Sequence, residues 1–101
     1  MADFIKAAGK SSVLPGASLA VEVGGKRVAL FNVEGQIYAL GNNCPHRGGP
    51  LAEGDLAGKE ITCPWHGWTF DVSNGCGTHT PAQAQSYPVK VEGDDIFVAV
   101  G

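Results

Sequence analysis

Two thiols and two imidazoles lie on two short stretches in the middle of the chain. Cys44-Pro45-His46 comes first, and Cys63-Pro64-Trp65-His66 follows after residues 47–62. Thiolate is a soft, anionic ligand and imidazole a borderline one, so four such donors point to a metal. Pro45 and Pro64 stiffen the loops by fixing φ, and Gly48, Gly49 and Gly67 let the backbone fold closely around a bound group. A single zinc accepts two Cys and two His tetrahedrally. Zinc fingers, however, place Cys with Cys and His with His, whereas each loop here carries one of each. A two-iron cluster with mixed ligation puts two Cys on one iron and two His on the other. On residue types and spacing alone, both centres stay open.

Around these donors stand residues with a bland reading beside a functional one. Trp65 and Trp68 either shield the centre and offer a docking face or simply pack. Arg47 can steer a partner, but a lone exposed arginine is usually just solvated. Glu53 and Asp55 read as a solvated turn, with an acidic rim as the alternative. His79, in a Thr-His-Thr-Pro setting, reads as a surface residue without a metal role. Cys76 is expected to be a packed, inert thiol.

The elements that must position the donors are strands. Leu19, Val21 and Val23 alternate with Ala20 and Glu22, as a half-buried strand does. Gly24-Gly25 supplies a tight turn, Arg27 to Val33 a second strand, and Glu34-Gly35 a turn into Gln36 to Leu40, completing a meander. Tyr87 to Glu92 and Ile96 to Val100 flank Gly93-Asp94-Asp95 as a further pair. Helical periodicity is weak throughout, with at most a helical turn between Lys10 and Pro15. Between the β halves, Asn42 to Pro81 concentrates Cys, His, Trp, Pro and Gly, interrupted by short strand signals at Glu60 to Thr62 and Trp68 to Val72. Long loop-rich stretches in small domains are usually functional. The expected fold is therefore all-β. An antiparallel sandwich or barrel-like scaffold (1–41 and 82–101) carries an inserted small lobe (about 42–81), all within a single domain.

Length and composition agree. The chain has 101 residues, 44% hydrophobic and 17% charged, which suits a single globular domain. Its 15 glycines fall at turns with no triplet period. Seven basic residues stand against ten acidic ones, for a net charge of −3, and the basic ones form no run. Nucleic acid is thus not an expected partner. No apolar run approaches a membrane helix, and the first ten residues lack a signal-peptide pattern. The expectation is a cytoplasmic protein whose three cysteines are ligands or thiols rather than a disulfide framework.

Cys44-Pro45-His46-Arg47-Gly48-Gly49-Pro50-Leu51 and Cys63-Pro64-Trp65-His66-Gly67-Trp68-Thr69-Phe70-Asp71 resemble the two cluster-binding boxes of the Rieske family. The similarity extends over nearly the whole chain. Either box alone is weak evidence; the two at this separation are highly specific. The resemblance implies the Rieske fold and one 2Fe–2S cluster with Cys44 and Cys63 on the inner iron and His46 and His66 on the outer. It also implies a third, proline-containing covering loop, which Thr80-Pro81-Ala82 matches loosely. Arg47, Gly48, Trp65, Gly67, Trp68 and Pro81 would surround the cluster or face a partner.

The departures are informative. Respiratory Rieske subunits carry an extra cysteine in each box, forming a disulfide; Gly49 and Trp65 occupy those positions here. High-potential members carry a serine and a tyrosine where this chain has Trp68 and Phe70. Without those hydroxyl donors to sulfur the reduced state is less stabilised, so the expected potential lies low, on the order of −150 to 0 mV. With the four ligands assigned, His79 alone cannot build the catalytic iron site of an oxygenase. The chain also has no Gly-rich dinucleotide fingerprint. The resemblance thus implies an electron carrier rather than an enzyme: a soluble ferredoxin passing electrons from a flavin-containing ferredoxin reductase to a terminal oxygenase through transient contacts, and expected to be a monomer because no large apolar surface helix suggests an obligate dimer. The alternatives are the small Rieske-like subunit of an assimilatory nitrite reductase, or a non-redox module that a metal merely holds together.

Overall fold

Paired turn residues fold the first half of the chain into a meander, as expected. Gly24 and Gly25 both have positive φ (56° and 83°) and join strand β2 (Ser18–Val23) to β3 (Lys26–Val33). Glu34 (φ 53°) and Gly35 (φ 92°) join β3 to β4 (Gln36–Gly41). Such a turn matches the right-handed twist of the strands it links. Glu34, a residue with a side chain, holds the left-handed conformation because Asn32 organises the turn. The buried Asn32 accepts the Gly35 N–H on Oδ1 at 2.8 Å and donates Nδ2 to the Val13 carbonyl at 2.7 Å.

The computed structural model describes residues 4–42, 51–64, 67–78 and 83–99. The remaining strands are β1 (Phe4–Gly9), β5 (Asp55–Ala57), β6 (Glu60–Thr62), β7 (Thr69–Asp71), β8 (Ser86–Tyr87), β9 (Val89–Glu92) and β10 (Asp95–Ala99). Short 3₁₀ turns occur at Lys10–Ser12 and Leu51–Glu53. Among the described residues all pairings between strands are antiparallel, in three sheets ordered β1-β10-β9, β2-β3-β4-β8 and β5-β6-β7. The all-β expectation is met. No helix of the described residues is long and apolar enough to cross a membrane.

Three elements differ from the sequence reading. Asp55, read as part of a solvated turn, opens the short strand β5, which pairs with β6. The single strand expected over Tyr87 to Glu92 is two, split at Pro88. β8 pairs with β4, and β9 pairs with β10 in another sheet. Proline cannot donate to a ladder, so the chain changes sheet there. β1 was not foreseen; it pairs with β10 through an irregularity between Lys6 and Ala8, and its inner and outer residues do not alternate cleanly.

β3 is the pivot of the core. Val28 and Leu30 face one apolar cluster with Val13, Val23, Ile37, Ile96 and Val98. Ala29 and Phe31, on the opposite face, enter a second cluster with Leu40, Leu51, Ile61, Cys63, Phe70 and Val72. A strand buried on both faces reads as a continuous apolar run, which Val28 to Phe31 is. The second cluster ties the scaffold to the segment carrying the second Cys-His box.

Candidate metal centre

β6 ends at Thr62, and Cys63 follows with its side chain 1% exposed, among Leu51, Ile61 and Phe70. The chain leaves and returns within a few residues. The Cys63 N–H donates to the Trp68 carbonyl at 2.6 Å, closing the base of the second box, and β7 starts at Thr69. Gly67 makes this return with φ +70°, a conformation side-chain-bearing residues rarely adopt. Trp68 is half-buried and packs on the cluster that holds Cys63.

The first box has a comparable base. The Leu51 N–H donates to the Asn42 carbonyl at 2.8 Å, so the residues flanking 43–50 are joined directly. Asn42 Oδ1 accepts the next N–H, that of Ala52, at 2.9 Å, and Ser18 Oγ donates to the Ala52 carbonyl at 2.6 Å. The two bases meet at Gly54. A Cβ built there would run into the Thr62 carbonyl, so only glycine lets the chain leaving the first box pass this close to the strand entering the second.

Of the four expected ligands, Cys63 lies among the described residues; Cys44, His46 and His66 lie outside them, as do Arg47, Gly48, Trp65, His79 and Pro81. Among the described residues no three His, Cys, Asp or Glu side chains gather as a metal site. The donor chemistry nonetheless fits a mixed-ligand iron–sulfur cluster. One thiol is held in an apolar, water-poor setting at the foot of a closed loop, which suits a soft thiolate ligand.

Cys76 corrects one expectation: it is exposed, not packed. It follows a turn after β7 whose polar groups are locally satisfied. Asn74 Oδ1 takes the Cys76 N–H at 2.8 Å, and the Cys76 carbonyl takes the Asp71 N–H at 2.8 Å. Asp71, which ends the second box, has its carboxyl held below the usual range, chiefly by the Ser73 hydroxyl. Ser73 Oγ and N–H both donate to Asp71 Oδ1, at 2.5 and 2.8 Å, and Lys59 adds a favourable charge. Glu53 and Asp55 are exposed. The sequence reading missed Asn42 and Ser18 as supports, since their bonds to Ala52 cross distant sequence.

Comparison with known proteins agrees with this geometry. The family model of the Rieske [2Fe-2S] domain matches residues 3–98. The ferredoxin component of the naphthalene 1,2-dioxygenase system of Pseudomonas putida is 43% identical over 91 residues, covering 88% of each chain. The solved ferredoxin of carbazole 1,9a-dioxygenase from Nocardioides aromaticivorans IC177 superposes with a TM-score of 0.89 at 32% identity, covering 95% of this chain and 96% of that one. A chain in the complex of reduced oxygenase and oxidised ferredoxin of carbazole 1,9a-dioxygenase gives a TM-score of 0.87, also at 32% identity, covering 95% and 92%. With both boxes in sequence, the closed bases in the fold and a family match over nearly its whole length, the chain belongs to the Rieske [2Fe-2S] domain family.

Proposed function

We propose that the chain is the ferredoxin of an oxygenase system, holding its 2Fe–2S cluster on Cys44, His46, Cys63 and His66. It takes one electron from a flavin-containing reductase and gives it to a terminal oxygenase. The observation that carries the reading is the pair of closed loop bases, with buried Cys63 at the foot of one, in a chain that matches named ferredoxin components along most of its length. When bound, the cluster stores and releases a single electron. The protein's own part is to keep the Cys63 thiolate dry and to hold the loop bases still, so that little reorganises when the charge changes. The ferredoxin–oxygenase complex of a structural relative supports a terminal oxygenase as the partner. The carrier is read as a cytoplasmic monomer that meets each partner briefly through a small interface.

The potential belongs at the low end of the Rieske range, on the order of −150 to 0 mV, because Trp68 and Phe70 bring no hydroxyl to the cluster. Voltammetry on the purified protein tests this. A reversible one-electron wave in that window supports the carrier. A high potential would overturn the tuning argument, and zinc-loaded protein without a wave would overturn the function. His46→Cys tests the ligand set: an unchanged visible spectrum removes His46 from it.

A further inference from the structure

Asn42 is only 2% exposed, and it grips separate parts of the chain at once. Its N–H donates to the Arg27 carbonyl of β3 at 3.1 Å; its own carbonyl accepts from Leu51; its Oδ1 accepts from Ala52. The first two bonds are main-chain and do not involve the side chain. The third depends on the side chain and, with the Ser18 bond to the Ala52 carbonyl, holds the turn Leu51–Glu53. Ala52 is itself buried (9% exposed), so its N–H has no ready access to water if Oδ1 is lost. Between Asn42 and Leu51 lie Cys44 and His46.

We infer that Asn42 is a positioning residue for the cluster: its side-chain oxygen locks the far end of the first box to the near end, and so sets where Cys44 and His46 are presented. The inference rests on the ligand reading above. An amide suits the task because it offers an acceptor at Oδ1 without placing a charge in the core. Ser18 provides the comparison, since its hydroxyl bonds the same residue, Ala52, from β2, without joining the two ends of the box.

The test uses full-length protein carrying its cluster, with iron and sulfide content, melting temperature, reduction potential and the rate of bleaching under a chelator as readouts. Asn42→Ala is expected to bind the cluster, to bleach about tenfold faster and to shift the potential. Tenfold in rate corresponds to ~1.4 kcal/mol. Asn42→Asp keeps an acceptor in place at the cost of a buried charge, and is expected to bleach more slowly than Asn42→Ala and to lower the potential. Ser18→Ala is expected to lower the melting temperature without moving the potential. Wild-type bleaching and potential in Asn42→Ala would overturn the inference, as would an Asn42→Asp that bleaches as fast as Asn42→Ala. If Asn42→Ala does not accumulate folded, Asn42→Gln, which moves the oxygen out by one methylene, is expected to show the same acceleration; an unchanged rate there overturns the inference too. Failure of the ligand reading is seen separately, as a wild-type protein without a Rieske spectrum.

Discussion

Trp68 and Phe70 leave the second box on alternate positions, one half-buried and one fully buried, and both belong to the apolar cluster around Cys63. Neither brings a hydroxyl to the second box, and that is the ground on which a low potential is expected. Trp68→Ser combined with Phe70→Tyr is expected to raise the potential by ~90 mV, taking ~1 kcal/mol for each of the two new hydrogen bonds and 59 mV per tenfold for one electron. Voltammetry reads this directly, and an unchanged or lower potential would sink the account. Asp71 offers a second test. Its carboxyl is held low by the Ser73 hydroxyl and N–H, so its ionised form favours the folded state. That contribution is present above the unfolded carboxylate value of about 3.9 and is lost as pH falls through the folded value. Asp71→Asn is therefore expected to be less stable than wild type near pH 7, with the gap closing towards pH 3. Urea unfolding at both pH values checks it.

At the scale of elements, the close pass of Gly54 against Thr62 brings the exit of the first box to the entrance of the second. Gly54→Ala is expected to destabilise the fold by roughly 2–4 kcal/mol, since a backbone collision has no flexible side chain to absorb it, and to impair cluster uptake. Denaturant unfolding and iron content measure the two effects. The ligand boxes and the meander were legible in the sequence because each carries a local chemical signal: Cys-Pro-His, or glycine where φ must be positive. Asn42 and Ser18 were not, since a hydrogen bond from Ser18 to Ala52 spans distant sequence and leaves no pattern in either segment. β1 escaped because it is an edge strand with exposed Phe4 and Ile5 and no clean alternation. The role of Pro88 was missed for the opposite reason: the apolar residues around it continue, although the chain passes from β4's partner to β10's.

For the molecule as a whole, the ladder between β1 and β10 sets Phe4 directly opposite Ala99. Neighbouring antiparallel strands lie about 5 Å apart, so a linker of a few residues can join Phe4 to Ala99. The exposed Gly24-Gly25 turn is then a place to reopen the chain, since loop tips of this kind tolerate new termini. The hydrogen bonds that close the two box bases among the described residues are untouched by such a circular permutation, and the permuted protein is expected to take up iron and sulfide and to show the wild-type potential. A permutant that folds but carries no cluster would mean that the β2–β3 hairpin must form locally before the boxes can close. Success would give a carrier whose termini sit at a chosen hairpin, free for covalent attachment to a redox partner or an electrode.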